Sequence, residues 1–122
     1  ILVVKDGKIV EAHAKQGEEV LRSAISVDEG ASYFGEVALV PYDSPISNLK
    51  LLFYNTLFDE NASCHLALGR GLSHKQPSDP KYTFNDSVIH IDFMIGTSDM
   101  HIVGTTEDGR EVVIFDNGDF AI

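Results

Sequence analysis

Short apolar runs separated by turn chemistry dominate the chain. Val3-Val4 and Lys8-Ile9-Val10 flank Asp6-Gly7. Glycine accepts the positive φ of a two-residue turn, so this predicts a hairpin whose second strand runs to about Ala12. Val20, Leu21, Ala24 and Ile25 then recur at helical spacing, with Glu18 and Glu19 at the positive N-terminal end, and predict a helix over 16–28 that stops near Gly30. Residues 36–40 read as a mostly buried strand ended by Pro41, and 42–45 as turn chemistry. The run 51–54 is apolar but of undecided type, and 59–63 is polar, a tight turn or one helical turn. A strand follows over 65–68. Residues 71–86 carry two prolines and no periodicity, which predicts a long loop. Further strands are expected over 88–95, 100–103 and 111–115, the last after an Asp108-Gly109 turn, with Asn117-Gly118 turning the chain into 119–122. Many strands with one convincing helix give an α+β fold with a mixed, mainly antiparallel sheet and few helices.

Length and charge narrow this picture. At 122 residues the chain has the length of one domain, and 43% apolar residues are enough for a core. A formal net charge of −10 argues against nucleic acid and against an anionic membrane surface, both of which call for clustered Lys and Arg. One cysteine cannot form an internal disulfide, and no signal peptide is visible, so a cytoplasmic location is expected. No apolar run approaches the length of a membrane span. The chain opens Ile1-Leu2-Val3-Val4, already strand-like and without an initiator Met, which reads as a piece of something longer.

The candidate chemistry lies in acids and histidines spread over the middle: Glu36, Asp59-Glu60, His65, and His90-x-Asp92. Carboxylates and imidazoles are the ligands that a hard-to-borderline divalent cation prefers. On a strand, positions i and i+2 share a face, so His90 and Asp92 can reach one ion or two neighbouring ions. The apolar residues Val88, Ile89, Ile91, Phe93 and Ile95 surround them. A carboxylate in such a setting needs a partner, which a cation or a buried salt bridge can supply. Cys64 reads as a small buried hydrophobe. His13, His74 and His101 have no acid at ligand spacing and read as surface or loop residues. No phosphate-binding glycine-rich loop, HExxH or nucleophile elbow is present. An unrelated binding module with buried salt bridges stays open on these grounds.

Longer blocks are more specific. Residues 35–47, GEVALVPYDSPIS, then 52–69, LFYNTLFDENASCHLALG, and then 90–96, HIDFMIG, resemble signatures of the thermophilic (M29) metalloaminopeptidases, and the resemblance covers essentially the whole chain. It implies that residues 1–122 form the C-terminal, metal-binding domain of a two-domain aminopeptidase. It further implies two divalent ions (zinc, cobalt or manganese) held by Glu36, Glu60, His65, His90 and Asp92, with Glu36 as a bridging carboxylate. Glu60 is the acid nearest the reacting water, as ligand or general base. Peptides with a free N-terminus are the implied substrates, and a homodimer the implied assembly. Two departures stand out. The family has a further glutamate ligand upstream of the segment matching Ile1, and a tyrosine at the position that reads Leu72 here. Leu72 keeps a second reading open, a catalytically inactive relative retained as a structural or assembly domain.

Overall fold

Asp6 and Gly7 both take positive φ, 50° and 80°, the geometry that lets a two-residue turn follow the right-handed twist of its strands. They join β1 (Leu2–Lys5) to β2 (Lys8–Ala12) in an antiparallel pair, with Lys5 opposite Lys8. The chain is described here from a computed structural model over residues 1–72 and 83–122. The loop expected over 71–86 falls mainly on residues 73–82, and with His74 lies outside the described residues.

The helix forms as α1 (Glu18–Ala24), with Glu18 and Glu19 in its first turn. It is shorter than the periodicity predicts, and a tertiary contact explains why. Asp28 lies within the expected helix, but its carboxylate accepts the N–H of Ala31 at 2.8 Å, the N–H of Val88 at 2.8 Å and the hydroxyl of Ser87 at 3.1 Å. These bonds turn the chain away from the helix axis. β3 (Phe34–Ala38) starts two residues before the expected strand. Val37 is 68% exposed, so β3 is not the mostly buried strand that its composition suggests. The strand order β3-β4-β5 explains this, because β4 (His65–Gly69) is central and β3 and β5 (His90–Met94) are edges. Burial concentrates on β4, where four of five residues are buried.

Two short helices complete the middle of the chain. α2 (Pro45–Leu49) occupies part of what reads as a turn; Ser44 caps it by accepting the Ser47 N–H, and Pro45 sits in its first turn. α3 (Thr56–Asp59) is capped by Asn55 and runs into one 3₁₀ turn, Glu60–Ala62. A last sheet pairs β6 (Ile102–Thr105), β7 (Glu111–Asp116) and β8 (Asp119–Phe120), all antiparallel. The architecture is therefore α+β with antiparallel pairs and few helices. No helix among the described residues is long and apolar enough to cross a membrane.

The chain forms two compact units, Ile1–Val37 with Leu66–Asp92, and Ala38–His65 with Phe93–Ile122. The first buries Ile9, Ala12, Ala31, Ala67 and Leu68. The second buries Cys64 and Phe115, and the Phe115 ring meets Phe120 edge-on at 4.5 Å. Cys64 is a buried, small residue as expected, its thiol exchanging 3.3 Å contacts with the N–H and carbonyl of Val40.

The Asp28 contacts give a pH-dependent prediction. The Val88 N–H, together with Ser87 and Ala31, holds the Asp28 carboxyl below its ordinary value of 3.8. A depressed folded value means that the ionised form stabilises the fold above pH 3.8, and that this contribution is lost as pH falls through the folded value. Asp28→Asn is expected to lower the thermal midpoint at neutral pH. The gap between variant and wild type should close on acidification below 3.8. A gap that persists or widens in acid contradicts this account.

Candidate metal centre

Three of the expected site residues converge in the first unit. Glu36 stands on β3, and His90 and Asp92 stand on β5, two residues apart and on one face of the strand. β4 lies between these edges, so the side chains reach across roughly two strand spacings of about 4.8 Å each. Long side chains are needed to close that distance, and Glu36 and His90 provide them. His90 Nε2 lies 3.3 Å from Glu36 Oε2 and 3.2 Å from Asp92 Oδ1. One donor atom from each residue falls within 4.8 Å of the other two. The Asp92 side chain is 8% exposed, that of Glu36 20% and that of His90 28%, which gives a half-sheltered site with access from solvent.

The protonation of His90 follows from its other nitrogen. Nδ1 lies 2.6 Å from the Arg70 carbonyl, which can only accept, so Nδ1 carries the proton and donates it. In the neutral ring Nε2 is then a lone pair facing two carboxylate oxygens. A proton on Nε2 or a cation among the three atoms relieves this repulsion. Asp92 Oδ1 is buried and has no hydrogen-bond partner among the described residues; the group facing it is His90 Nε2, 3.2 Å away. A buried charged oxygen without a donor is costly. A cation satisfies it directly. Ligands about 2.1 Å from a tetrahedral ion stand about 3.4 Å apart, close to the observed separations from Nε2. Two carboxylates and an imidazole are also the oxygen and nitrogen donors that zinc, cobalt and manganese accept. The donor set fits a divalent cation.

Glu60 and His65 belong to the second unit. Glu60 is half-buried and opens the 3₁₀ turn that follows α3. His65 is the first residue of β4 and is 3% exposed. Its Nδ1 donates to the Ser63 carbonyl at 3.0 Å, the same use of Nδ1 as in His90. Asp59 is occupied otherwise, since its carboxylate accepts the N–H groups of Phe53 and Asn55 at 2.8 and 3.0 Å. It shapes the turn before α3. Leu72 is described and half-exposed.

Two of the histidines read as surface residues stand beside acids, one of which, Glu11, is only two residues from His13 in the chain. His13 lies 3.6 Å from Glu11 and 3.7 Å from Glu18, and His101 lies 3.1 Å from Asp116. All these side chains are exposed, consistent with surface roles. Sequence reasoning missed Arg70, whose contribution to the site is a main-chain carbonyl. No residue-type pattern marks such a group.

Comparison with known proteins agrees with this chemistry. The family model for the thermophilic metalloprotease (M29) matches residues 1–120. Aminopeptidase AmpS of Bacillus subtilis is 51% identical over 128 aligned positions, which take in 98% of this chain and 31% of the relative. Aminopeptidase 2 of Geobacillus stearothermophilus is 48% identical, with the same coverage. The solved structure of wild-type AmpT from Thermus thermophilus superposes with a TM-score of 0.89 at 40% identity, over 99% of this chain and 31% of that one. The chain thus spans under a third of the length of the relatives that it matches. With that match running from residue 1 to residue 120, it takes in every residue of the site, and the chain belongs to the thermophilic metalloprotease (M29) family.

Proposed function

We propose that residues 1–122 are the C-terminal, metal-binding domain of a two-domain aminopeptidase that removes N-terminal residues from peptides. The observation that carries this reading is the buried, unsatisfied Asp92 Oδ1 set against His90 Nε2, with Glu36 beside it. The named relatives are aminopeptidases, which supports the reaction class. The reading assigns two divalent ions, zinc, cobalt or manganese, to Glu36, Glu60, His65, His90 and Asp92, with Glu36 as the shared carboxylate. Bound there, divalent ions supply Lewis acidity that polarises the scissile carbonyl and eases loss of a proton from water.

The chain's own residues carry the remaining work. The substrate's free α-amine binds at the metal site that Glu36 and Asp92 help to form, which restricts cleavage to the N-terminus. His90 presents Nε2 because its Nδ1 proton is committed to the Arg70 carbonyl, and His65 Nδ1 is held by the Ser63 carbonyl. Glu60 takes the proton of the attacking water on its carboxylate and returns it to the leaving amine nitrogen. The parent is assigned as a cytoplasmic homodimer.

The test is hydrolysis of aminoacyl-p-nitroanilides by the full-length protein, stripped with chelator and then reloaded with cobalt or zinc. Turnover is expected only after reloading. Glu60→Gln should lower kcat by about 10²- to 10⁴-fold. Turnover by a protein that carries Leu72 removes the reading of an inactive relative. Metal-independent turnover, or none in any metal, overturns the aminopeptidase assignment.

A further inference from the structure

The acceptor that fixes His90 is itself held by a network. The Arg70 carbonyl receives the His90 Nδ1 proton at 2.6 Å, and the chain around it is tied to residues 85–89 at four points. The Arg70 N–H bonds the Ile89 carbonyl at 2.7 Å, and the Gly71 N–H bonds the Asn85 carbonyl at 2.8 Å. The Asn85 side-chain amide bonds the Gly69 carbonyl at 2.7 Å, and Arg70 Nε bonds the Ser87 carbonyl at 2.9 Å. Residues 85–89 are anchored in turn. The Asn85 amide also reaches the Gly30 carbonyl at 2.8 Å and the Tyr33 carbonyl at 3.3 Å, just before β3 and Glu36. Asp28 holds Ser87 and Val88 at the entrance to β5.

The chemistry of these contacts is one-directional. An asparagine amide nitrogen is a donor of two protons, and all three of its partners are main-chain carbonyls. It binds together the approach to β3, the end of β4 and the approach to β5, the three places that set where Glu36 and His90 stand. Asp28, an acceptor, holds the donors on the other side of the same segment. Neither residue belongs to the Glu36–His90–Asp92 group. Metal-bound histidines generally donate their second ring nitrogen to a fixed acceptor, and loss of that support typically weakens metal affinity by about 10- to 100-fold.

We infer that Asn85 and Asp28 are positioning residues for the metal centre, which hold the Arg70 carbonyl as a fixed acceptor for His90 Nδ1 and so present Nε2 to the cation. This rests on the metal reading of Glu36, His90 and Asp92. Both residues act through the backbone of residues 69–71 and 87–89.

The experiment compares the full-length wild type with Asn85→Ala and Asp28→Asn, using cobalt(II) as probe. Cobalt affinity is measured by calorimetry, and the cobalt visible absorption spectrum reports the coordination geometry. Phe115→Leu, in the buried core of the second unit, serves as a variant destabilised without touching the network. All titrations are run well below every unfolding midpoint. Both network variants are expected to lose about 10- to 100-fold in cobalt affinity with an altered spectrum, while Phe115→Leu keeps both at wild-type values. Should Asn85→Ala fail to fold, Asp28→Asn decides alone. Network variants with wild-type affinity and spectrum overturn the positioning role and leave the metal site standing. Equal loss in Phe115→Leu overturns it too, because general loosening then explains the effect. If the wild type binds no cobalt, or binds it unchanged after His90→Ala, the underlying metal reading has failed, and this inference falls with it.

Discussion

Asp92→Asn is expected to move the stability of the protein in opposite directions with and without metal. In the metal-free protein, Asp92 Oδ1 is a buried carboxylate oxygen without a hydrogen-bond donor among the described residues, near a second carboxylate on Glu36. An unsatisfied buried polar group costs about 1–3 kcal/mol, and more when charged. Asparagine removes the charge and brings two donors to the same place, so the chelated variant should unfold at a higher temperature than the chelated wild type. In saturating metal the order reverses. A ligand present at 100 times its Kd stabilises by about 2.7 kcal/mol. The wild type gains this, and the variant, which has lost one of the clustered Glu36, His90 and Asp92 donors, gains much less. Thermal unfolding with chelator and then with excess zinc measures both halves. A chelated variant less stable than the chelated wild type contradicts the strain assigned to this oxygen. A full metal-induced shift in the variant removes Asp92 from the ligand set.

What was legible in the sequence follows the range of each interaction. Asp6-Gly7 and Asn117-Gly118 announced their hairpins, because a positive φ is a property of two adjacent residues; Asn117 and Gly118 take 51° and 78°. His90 and Asp92 announced a shared face, because strand alternation is local. The end of α1 was not legible, since it depends on Asp28 meeting Val88, sixty residues away. The exposure of Val37 was hidden for the same reason. Composition gave β3 an apolar strand, but its place at a sheet edge depends on which strands pair. Glu36 entered the candidate set only as one of many acids, and long blocks resembling a known family singled it out. Spacing alone could not bring it to His90, because β4 lies between them. Asn85 and Arg70 gave no signal, since both act on main-chain groups.

A close backbone approach beside the site makes Gly35→Ala a strongly damaging small substitution there. A β-carbon on Gly35 would stand 2.2 Å from the Gly69 carbonyl oxygen and 2.5 Å from that of Arg70. Non-bonded atoms prefer about 3.5–4.0 Å, so the overlap exceeds about 1 Å. Neither oxygen can yield cheaply. That of Gly69 is held by Asn85, and that of Arg70 by His90 Nδ1, while the Arg70 N–H is tied to Ile89. The Gly69 backbone is fixed further by its own N–H, which bonds the Tyr33 carbonyl at 2.8 Å. β3 must therefore move away from β4, carrying Glu36 with it, and the cost is expected to reach about 3 kcal/mol or more. Gly71→Ala is the matched comparison. Its β-carbon meets the Gly35 carbonyl oxygen at 3.2 Å and nothing closer, a strain that a few tenths of an ångström relieve. Thermal midpoints and zinc affinities of the two variants should separate widely, with Gly35→Ala losing both and Gly71→Ala staying near wild type. A Gly35→Ala protein as stable and as zinc-competent as wild type would show that β3 and β4 have room to part without disturbing Glu36, and the rigidity ascribed to this side of the site would be wrong.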